Sequence, residues 1–259
     1  MYLRPIQILL ALLVTLLITS PKLDAQTLDS TLARQIAEHA DTLMRGASNV
    51  ATYRITITRP EWTRSITIDS WERGKEFYYM EITDPPRDQG TAYLKREGQM
   101  WTYLNDIGRT VKIPPSMMMD SWMGSDFTND DLLNESSLLD DYDHELVGAD
   151  TLDGIGAWHV RLHPHDDAPV VWDKIDFWVR SGDYMLLREE FFDERGRKVR
   201  TLYFQDVRTM DSREIPSKWV LEPHLKDPGN RTVLEMVKID FDVEIPDRYF
   251  TRQYLERSR

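Results

Sequence analysis

Behind an apolar run at its start, the chain alternates hydrophobic and polar positions in two successive rhythms. Between Thr27 and Arg45, the residues Leu28, Leu32, Ile36, Ala40 and Leu43 recur at helical spacing and Gly46 follows as a stop, which predicts one amphipathic helix. From Ala51 the period is two. Ala51 to Thr58 sets Tyr53, Ile55 and Ile57 against Thr and Arg, Arg64 to Trp71 puts Ile66 and Ile68 on one face, and Glu76 to Ile82 does the same with Tyr78, Met80 and Ile82. Thr91 to Lys95 follows a loop over Asp84 to Gly90, and Met100 to Leu104 with Arg109 to Ile113 flank an Asn105-Asp106-Ile107-Gly108 turn, a hairpin pattern. The rhythm resumes at Tyr142 to Val147, Ala157 to His163, Lys174 to Arg180, Tyr184 to Asp193, Lys198 to Val207, Ser217 to Leu221 and Thr232 to Val243. Turn residues such as Gly182-Asp183 and Glu194-Arg195-Gly196 separate these segments. Short antiparallel strands at this spacing predict a sheet curling towards a barrel or sandwich. No internal repeat, low-complexity tract or linker divides it, so a single domain is expected over residues 26–259.

The stretch between the two strand series follows neither rhythm. After the Pro114-Pro115 break it holds Met117, Met118, Met119, Trp122, Met123 and Phe127, interrupted by Gly124, before Asx and Thr caps start a helix or turn near Asp126 to Leu133. Methionine is unbranched and polarizable, so a Met-rich lip suits apolar partners of variable shape. Two readings stand: a flexible apolar lid over a ligand, or a plug that fills a core beneath a loop.

The opening run, Ile6 to Ile18 behind Arg4, has the length of a signal peptide and is short for a membrane span. Leu23-Asp24-Ala25 before Gln26 is a passable cleavage site, which makes residues 1–25 an expected leader; an uncleaved anchor is the alternative. The chain has no cysteine, so no disulfide and no lipidated N-terminal Cys is expected. Its net charge of −12 grows by one when Arg4, Lys22 and Asp24 leave with the leader. That excess argues against nucleic acid and against an anionic membrane surface, both of which need basic patches.

Catalytic chemistry finds little footing. His159, His163, His165, Asp166 and Asp167 have the residue types of a metal site, but their spacing enforces no converging geometry, so a polar turn with exposed histidines is expected and no metal. The pairs Glu189-Glu190 and Asp130-Asp131 are adjacent, so a strand would send their carboxylates to opposite faces, and a solvated edge is expected for both. There is no G-x-S-x-G, P-loop or cysteine nucleophile, and neither an enzyme nor a cofactor is expected. Eight Trp, eleven Tyr, eight Phe and eleven Met point instead to binding.

M-W-T-Y-L at Met100 to Leu104, R-x-V-K-I-P from Arg109, and D-S-W-M-G-S-D-F from Asp120 followed by Asn129-Asp130-Asp131 resemble the signature of the outer-membrane lipoprotein-sorting proteins, the LolA-like family. So do D-P-P-R-D-Q-G-T-A-Y-L from Asp84 and the hairpin run K-I-D-F-W-V-R-S-G-D-Y-M-L-L-R-E-E-F-F-D-E-R-G-R from Lys174; the family more often has Phe where Trp122 stands. The resemblance implies a mainly β (α+β) fold, an unclosed antiparallel β-barrel or half-barrel with an N-terminal helix and a short helical lid, LolA/LolB-like. It also implies a periplasmic carrier that shelters acyl chains of a lipoprotein or lipid, with an inner-membrane RND or ABC transporter as donor and an outer-membrane acceptor. The expected cavity lies on the inward strand faces, at Tyr53, Ile55, Ile66, Ile68, Tyr78, Met80, Trp101 and Tyr103, beneath a lid of Met117, Met118, Met119, Trp122, Met123 and Phe127. Other roles for the same half-barrel are a periplasmic sensory or assembly module and an accessory of an RND or ABC exporter.

Overall fold

Every segment with period-two alternation is a strand, and all thirteen join one sheet. A computed structural model describes residues 25–133, 137–226 and 228–257; the expected leader lies, but for Ala25, outside the described residues. Helix α1 (Ala25–Arg45) leads into β1 (Ser48–Thr58), β2 (Thr63–Arg73), β3 (Phe77–Asp84), β4 (Ala92–Arg96), β5 (Gln99–Leu104) and β6 (Arg109–Ile113). A connecting segment with 3-10 turns at Pro115–Met117 and Trp122–Gly124 and a short helix α2 (Asn129–Leu133) follows. Then come β7 (Tyr142–Leu152), β8 (Ile155–Pro164), β9 (Lys174–Arg180), β10 (Leu186–Phe192), β11 (Lys198–Met210), β12 (Arg213–Pro223) and β13 (Arg231–Phe241). A 3-10 turn at Asp247–Phe250 and α3 (Arg252–Leu255) come after them.

The strand order is β6-β5-β4-β3-β2-β1-β13-β12-β11-β10-β9-β8-β7, antiparallel at every pairing. Two meanders are therefore sewn together by β1 and β13, with β6 and β7 left as the two edges of an unclosed half-barrel. The segment carrying α2 runs from one edge strand to the other and so lies across the opening.

The inner face of the sheet holds the main core. Ile55, Ile57, Ile66, Ile68, Tyr78, Met80 and Ile82 from the first meander, and Val160, Leu162, Ile175, Phe177, Val179, Phe191, Leu202 and Phe204 from the second, pack together beneath α1 and the lid. The helix contributes Ala33, Ile36, Ala37 and Ala40, and packs against β7 and β12. Its buried stripe is thus rotated from the expected one: Leu32 is 39 % exposed, and small alanines let the helix come close to the sheet. Gly46, at φ +67, ends the helix as expected; a Cβ there would lie 2.9 Å from the Asp242 carboxylate.

The outer face of the first meander is also covered. Tyr79, Ala92, Leu94 and Tyr103 pack against Ile245, Phe250 and Leu255 from the segment after β13, and Trp71 stacks on Tyr249 with ring centroids 5.0 Å apart.

Candidate binding cavity and its lid

The expected cavity residues of β1, β2 and β3 lie on the inner face, but they form packed core. Ile55, Ile66 and Met80 are fully buried, Ile68 and Tyr78 nearly so, and Tyr53 packs beside them. Trp101 and Tyr103 correct the expected set. In β5 the inner-facing residue is Met100, while Trp101 and Tyr103 point to the outer face, under Phe250 and Leu255. A strand whose two faces are both covered gives no polar rhythm from which to choose its inner side.

The lid residues divide. Met118, Trp122 and Phe127 are buried at 4 %, 1 % and 3 % exposure and join the main core with Met123, while Met117 is 46 % exposed. The Tyr93 ring lies 6.3 Å from that of Trp122, and burial pushes its phenol up to about 12. In this closed arrangement the Met-rich segment plugs the first meander.

Two basic side chains of the first hairpin fasten it. Arg59 donates to the Gly124 carbonyl at 2.7 Å and to the Asp126 carboxylate at 2.9 Å, and Arg64 donates to the Met123 carbonyl. Asp126 itself is buried, and also accepts from Lys226 at 2.9 Å and from the Thr232 hydroxyl at 2.8 Å, which ties the lid to β13. Met123 is held at φ +50, a left-handed conformation costly for a side chain of this size.

Open space lies under the second meander. A cavity of about 210 Å³ is roofed by Ala40, Asp41, Met44 and Arg45 of α1 and by Phe127, Asp130 and Asp131 of the lid. Its floor is Tyr142 of β7, Ile175 and Phe177 of β9, Glu189 and Phe191 of β10, Leu202 and Phe204 of β11, and Trp219 of β12. A second space of about 330 Å³ opens beside it, between Met119, Ser121, Ser125 and Thr128 of the lid and Val199, Arg200, Pro223, Leu225 and Lys226; Phe127 and Trp172 line both. Of the fourteen residues expected at a cavity, Phe127 and Met119 are the two found on these walls.

Charged side chains stand inside this apolar setting. Arg200, 5 % exposed, grips Asp131 through a two-pronged pair at 2.6 and 2.7 Å, and its guanidinium lies 4.5 Å from the Trp172 ring centre and 4.1 Å from that of Phe191. Burial raises the Asp131 carboxyl, but the Arg200 charge and the bonds from Arg200 and Thr128 outweigh it and hold the group below the usual range. Thr128 and Asp131 also cap α2 reciprocally, at 2.7 and 3.1 Å, so one carboxylate fixes both the short helix and the arginine. Glu189 sits directly across from Phe177 on β9 and from Leu202 on β10's other neighbour, β11. That apolar flanking desolvates it and pushes its carboxyl up to about 7, against which the Arg200 charge acts only in part.

Neither acidic pair is therefore a solvated edge. Glu190 does face outward, beside Arg188 and Lys198, but Glu189 faces in, while Asp130 is buried and Asp131 is bound to Arg200. The period-two argument put the two glutamates on opposite faces; an irregularity in the pairing between Leu186 and Arg188 conceals which of them is inward. The histidines are spread along β8 and its end: His159 lies 4.3 Å from Trp178 and 3.3 Å from Asp176, His163 3.0 Å from Glu145 and His165 3.4 Å from Asp143. No group of three or more possible metal ligands converges among the described residues.

A family model described as "Uncharacterized protein" matches residues 74–257. The chain belongs to that family. Residues 74–257 contain β3 to β13, the lid and every residue of the inner cavity except those of α1. No curated protein matches the chain. Among solved structures it is similar to a DUF1329 family protein from Desulfovibrio piger, at 23 % identity and a TM-score of 0.79 over 88 % of this chain and 99 % of that one. It is also similar to a domain described as an outer membrane lipoprotein-sorting protein from Vibrio parahaemolyticus, at 20 % identity and a TM-score of 0.76 over 88 % and 100 %. A LolA superfamily protein from Nitrosomonas europaea aligns at 20 % identity and a TM-score of 0.73 over 86 % and 98 %. The fold is LolA-like, as the resemblance in the sequence implied. No helix among the described residues is long and apolar enough to cross a membrane.

Proposed function

We propose that this family member is a periplasmic carrier that shelters the acyl chains of a lipid or lipoprotein between the half-barrel and its lid, without covalent chemistry. One observation carries the reading: an aromatic-lined cavity beneath α1 continues, past Phe127 and Trp172, towards a lid whose own apolar side chains fill the rest of the barrel. At about 210 Å³ the inner space is smaller than the roughly 300–1,000 Å³ usual for small-molecule sites. Cargo too long for this space and the adjoining one enters by displacing the plug.

The magnitudes suit a reversible exchange. Withdrawing Met118, Trp122 and Phe127 from the core costs between about 5 and about 9 kcal/mol, at roughly 1.5–3 kcal/mol per side chain. A sixteen-carbon chain that takes their place gains roughly 12 kcal/mol. The balance is enough to hold one chain out of water and small enough to hand it on. The donor would be an inner-membrane transporter of RND or ABC type, and the acceptor an outer-membrane component.

The test is titration of the mature chain with a fluorescent long-chain fatty acid, followed by competition with phospholipid. Saturable, competed binding is expected, and a chain that binds neither is no carrier. Trp122→Ala, with its fold checked by circular dichroism, is expected to bind the probe more tightly because the indole no longer competes. Weaker binding by a folded variant would make Trp122 a cargo contact and reject the plug.

A further inference from the structure

One ionisable side chain on the walls of the inner cavity has no partner among the described residues. Glu189 is 6 % exposed, lines the cavity, and makes no ion pair and no side-chain hydrogen bond among the described residues. The two cations near it are engaged: Arg200 is forked onto Asp131, and Arg45 pairs with Asp41 and Glu72. Acids outnumber bases on the walls of the two spaces, with Asp41, Asp126, Asp130, Asp131 and Glu189 against Arg45, Arg200 and Lys226, the last paired with Asp126. An anionic ligand would meet this excess with no free cation to receive it. A neutral one would suit Glu189 only while its carboxyl keeps a proton.

Around Glu189 the walls are aromatic. Phe177 is directly across the sheet, Phe191 is two residues along the same strand face, and Tyr142, Phe204 and Trp219 complete the lining. Aromatic faces attract a cation that has shed its water, and a buried carboxylate supplies the formal counter-charge. Resting on the carrier reading, we infer that the inner cavity receives the ammonium group of an amphiphilic amine, with Glu189 as its counter-ion and the Phe177 and Phe191 rings beside it. The alkyl part extends past Phe127 and Trp172 into the space beneath the lid. In the empty protein a proton on Glu189 stands in for the ligand's charge, in keeping with its raised carboxyl.

The groups that face Glu189 come from every neighbouring element: Arg200 from β11, Asp130 and Asp131 from α2, Asp41 and Arg45 from α1, and Tyr142 from β7. Burial raises the Glu189 carboxyl to about 7, within the range tested, and the Glu189→Gln variant decides whether the change in cation affinity on acidification belongs to it.

Three probes of equal length, octyltrimethylammonium, octyl sulfate and octanol, separate the possibilities by calorimetry at about pH 8 and about pH 5.5. The quaternary ammonium cannot itself titrate. At the higher pH it is expected to bind at least about tenfold more tightly than the alcohol and the sulfate, and to lose most of that lead at the lower pH. Glu189→Gln is expected to collapse the ratio of cation to alcohol affinity at both pH values. A cation bound no better than the alcohol, a preference for the sulfate, or a ratio unchanged in Glu189→Gln would overturn the inference while leaving the carrier intact. Failure of all three probes while a long-chain fatty acid still binds would overturn the inference alone; failure of the fatty acid as well would remove the carrier itself.

Discussion

Glu189 also makes stability depend on pH. Its carboxyl lies at about 7 in the folded chain and at 4.5 in an unperturbed one. Between those values the unfolded chain has released a proton that the folded chain keeps, so the stability contributed by Glu189 falls as pH rises through the interval and is level above it. At about 1.4 kcal/mol per pH unit the loss amounts to roughly 3 kcal/mol for a group this buried. Glu189→Gln, which carries no charge at any pH, is expected to melt near the wild-type temperature at about pH 4.5 and clearly above it at about pH 8. Thermal unfolding of both chains across that range checks it. Parallel curves would show that water reaches the carboxylate and that its burial is nominal.

At the level of the element, the lid is held more by hydrogen bonds than by helix. Its turns are short, Met123 has a left-handed backbone, and the fastening falls to Arg59 and Arg64 on Gly124, Met123 and Asp126. Removing the Arg59 head group leaves the buried Asp126 carboxylate with Lys226 and Thr232 and takes away its link to the β1–β2 turn. Losing one charge-assisted bond of this kind costs about 1.5–3 kcal/mol. Arg59→Ala is thus expected to raise amide exchange over residues 115–128 by tenfold or more, with β1, β2 and β13 protected as before. Exchange that rises equally in the strands would make Arg59 a global support and not a latch. The Met-rich composition announced a lid or a plug but could not separate them, because the same apolar side chains serve both. Only the burial of Met118, Trp122 and Phe127 in the same core as Ile55, Ile66 and Met80 shows that the segment fills the barrel.

For the whole molecule, period-two alternation located all thirteen strands, since each has at least one face that must be apolar. The cavity was far less legible. Choosing an inner side needs a polar outer side, and β5 lacks one because the segment after β13 covers it with Phe250 and Leu255. The expected walls lay on β1, β2, β3 and β5, whereas the open space formed under β9 to β12, where Trp172, Phe191 and Arg200 carry no rhythm distinct from core. The two faces of one sheet thus carry different duties, and a matched pair of truncations separates them. Tyr103 on the outer face and Phe204 on the inner are buried to a similar degree, at 5 % and 8 % exposure. Cutting either to Ala removes a buried ring, which typically costs about 3–5 kcal/mol, so urea unfolding should show comparable losses. Their effects on cargo should diverge. Tyr103→Ala leaves the cavity walls untouched, whereas Phe204→Ala enlarges the cavity and strips one aromatic wall, so fatty-acid affinity should change several-fold in the second variant alone. If both variants shifted affinity equally, binding would track overall stability and the inner face would hold no site of its own. If Tyr103→Ala alone shifted it, the cargo would lie on the outer face, beneath the chain's last helix.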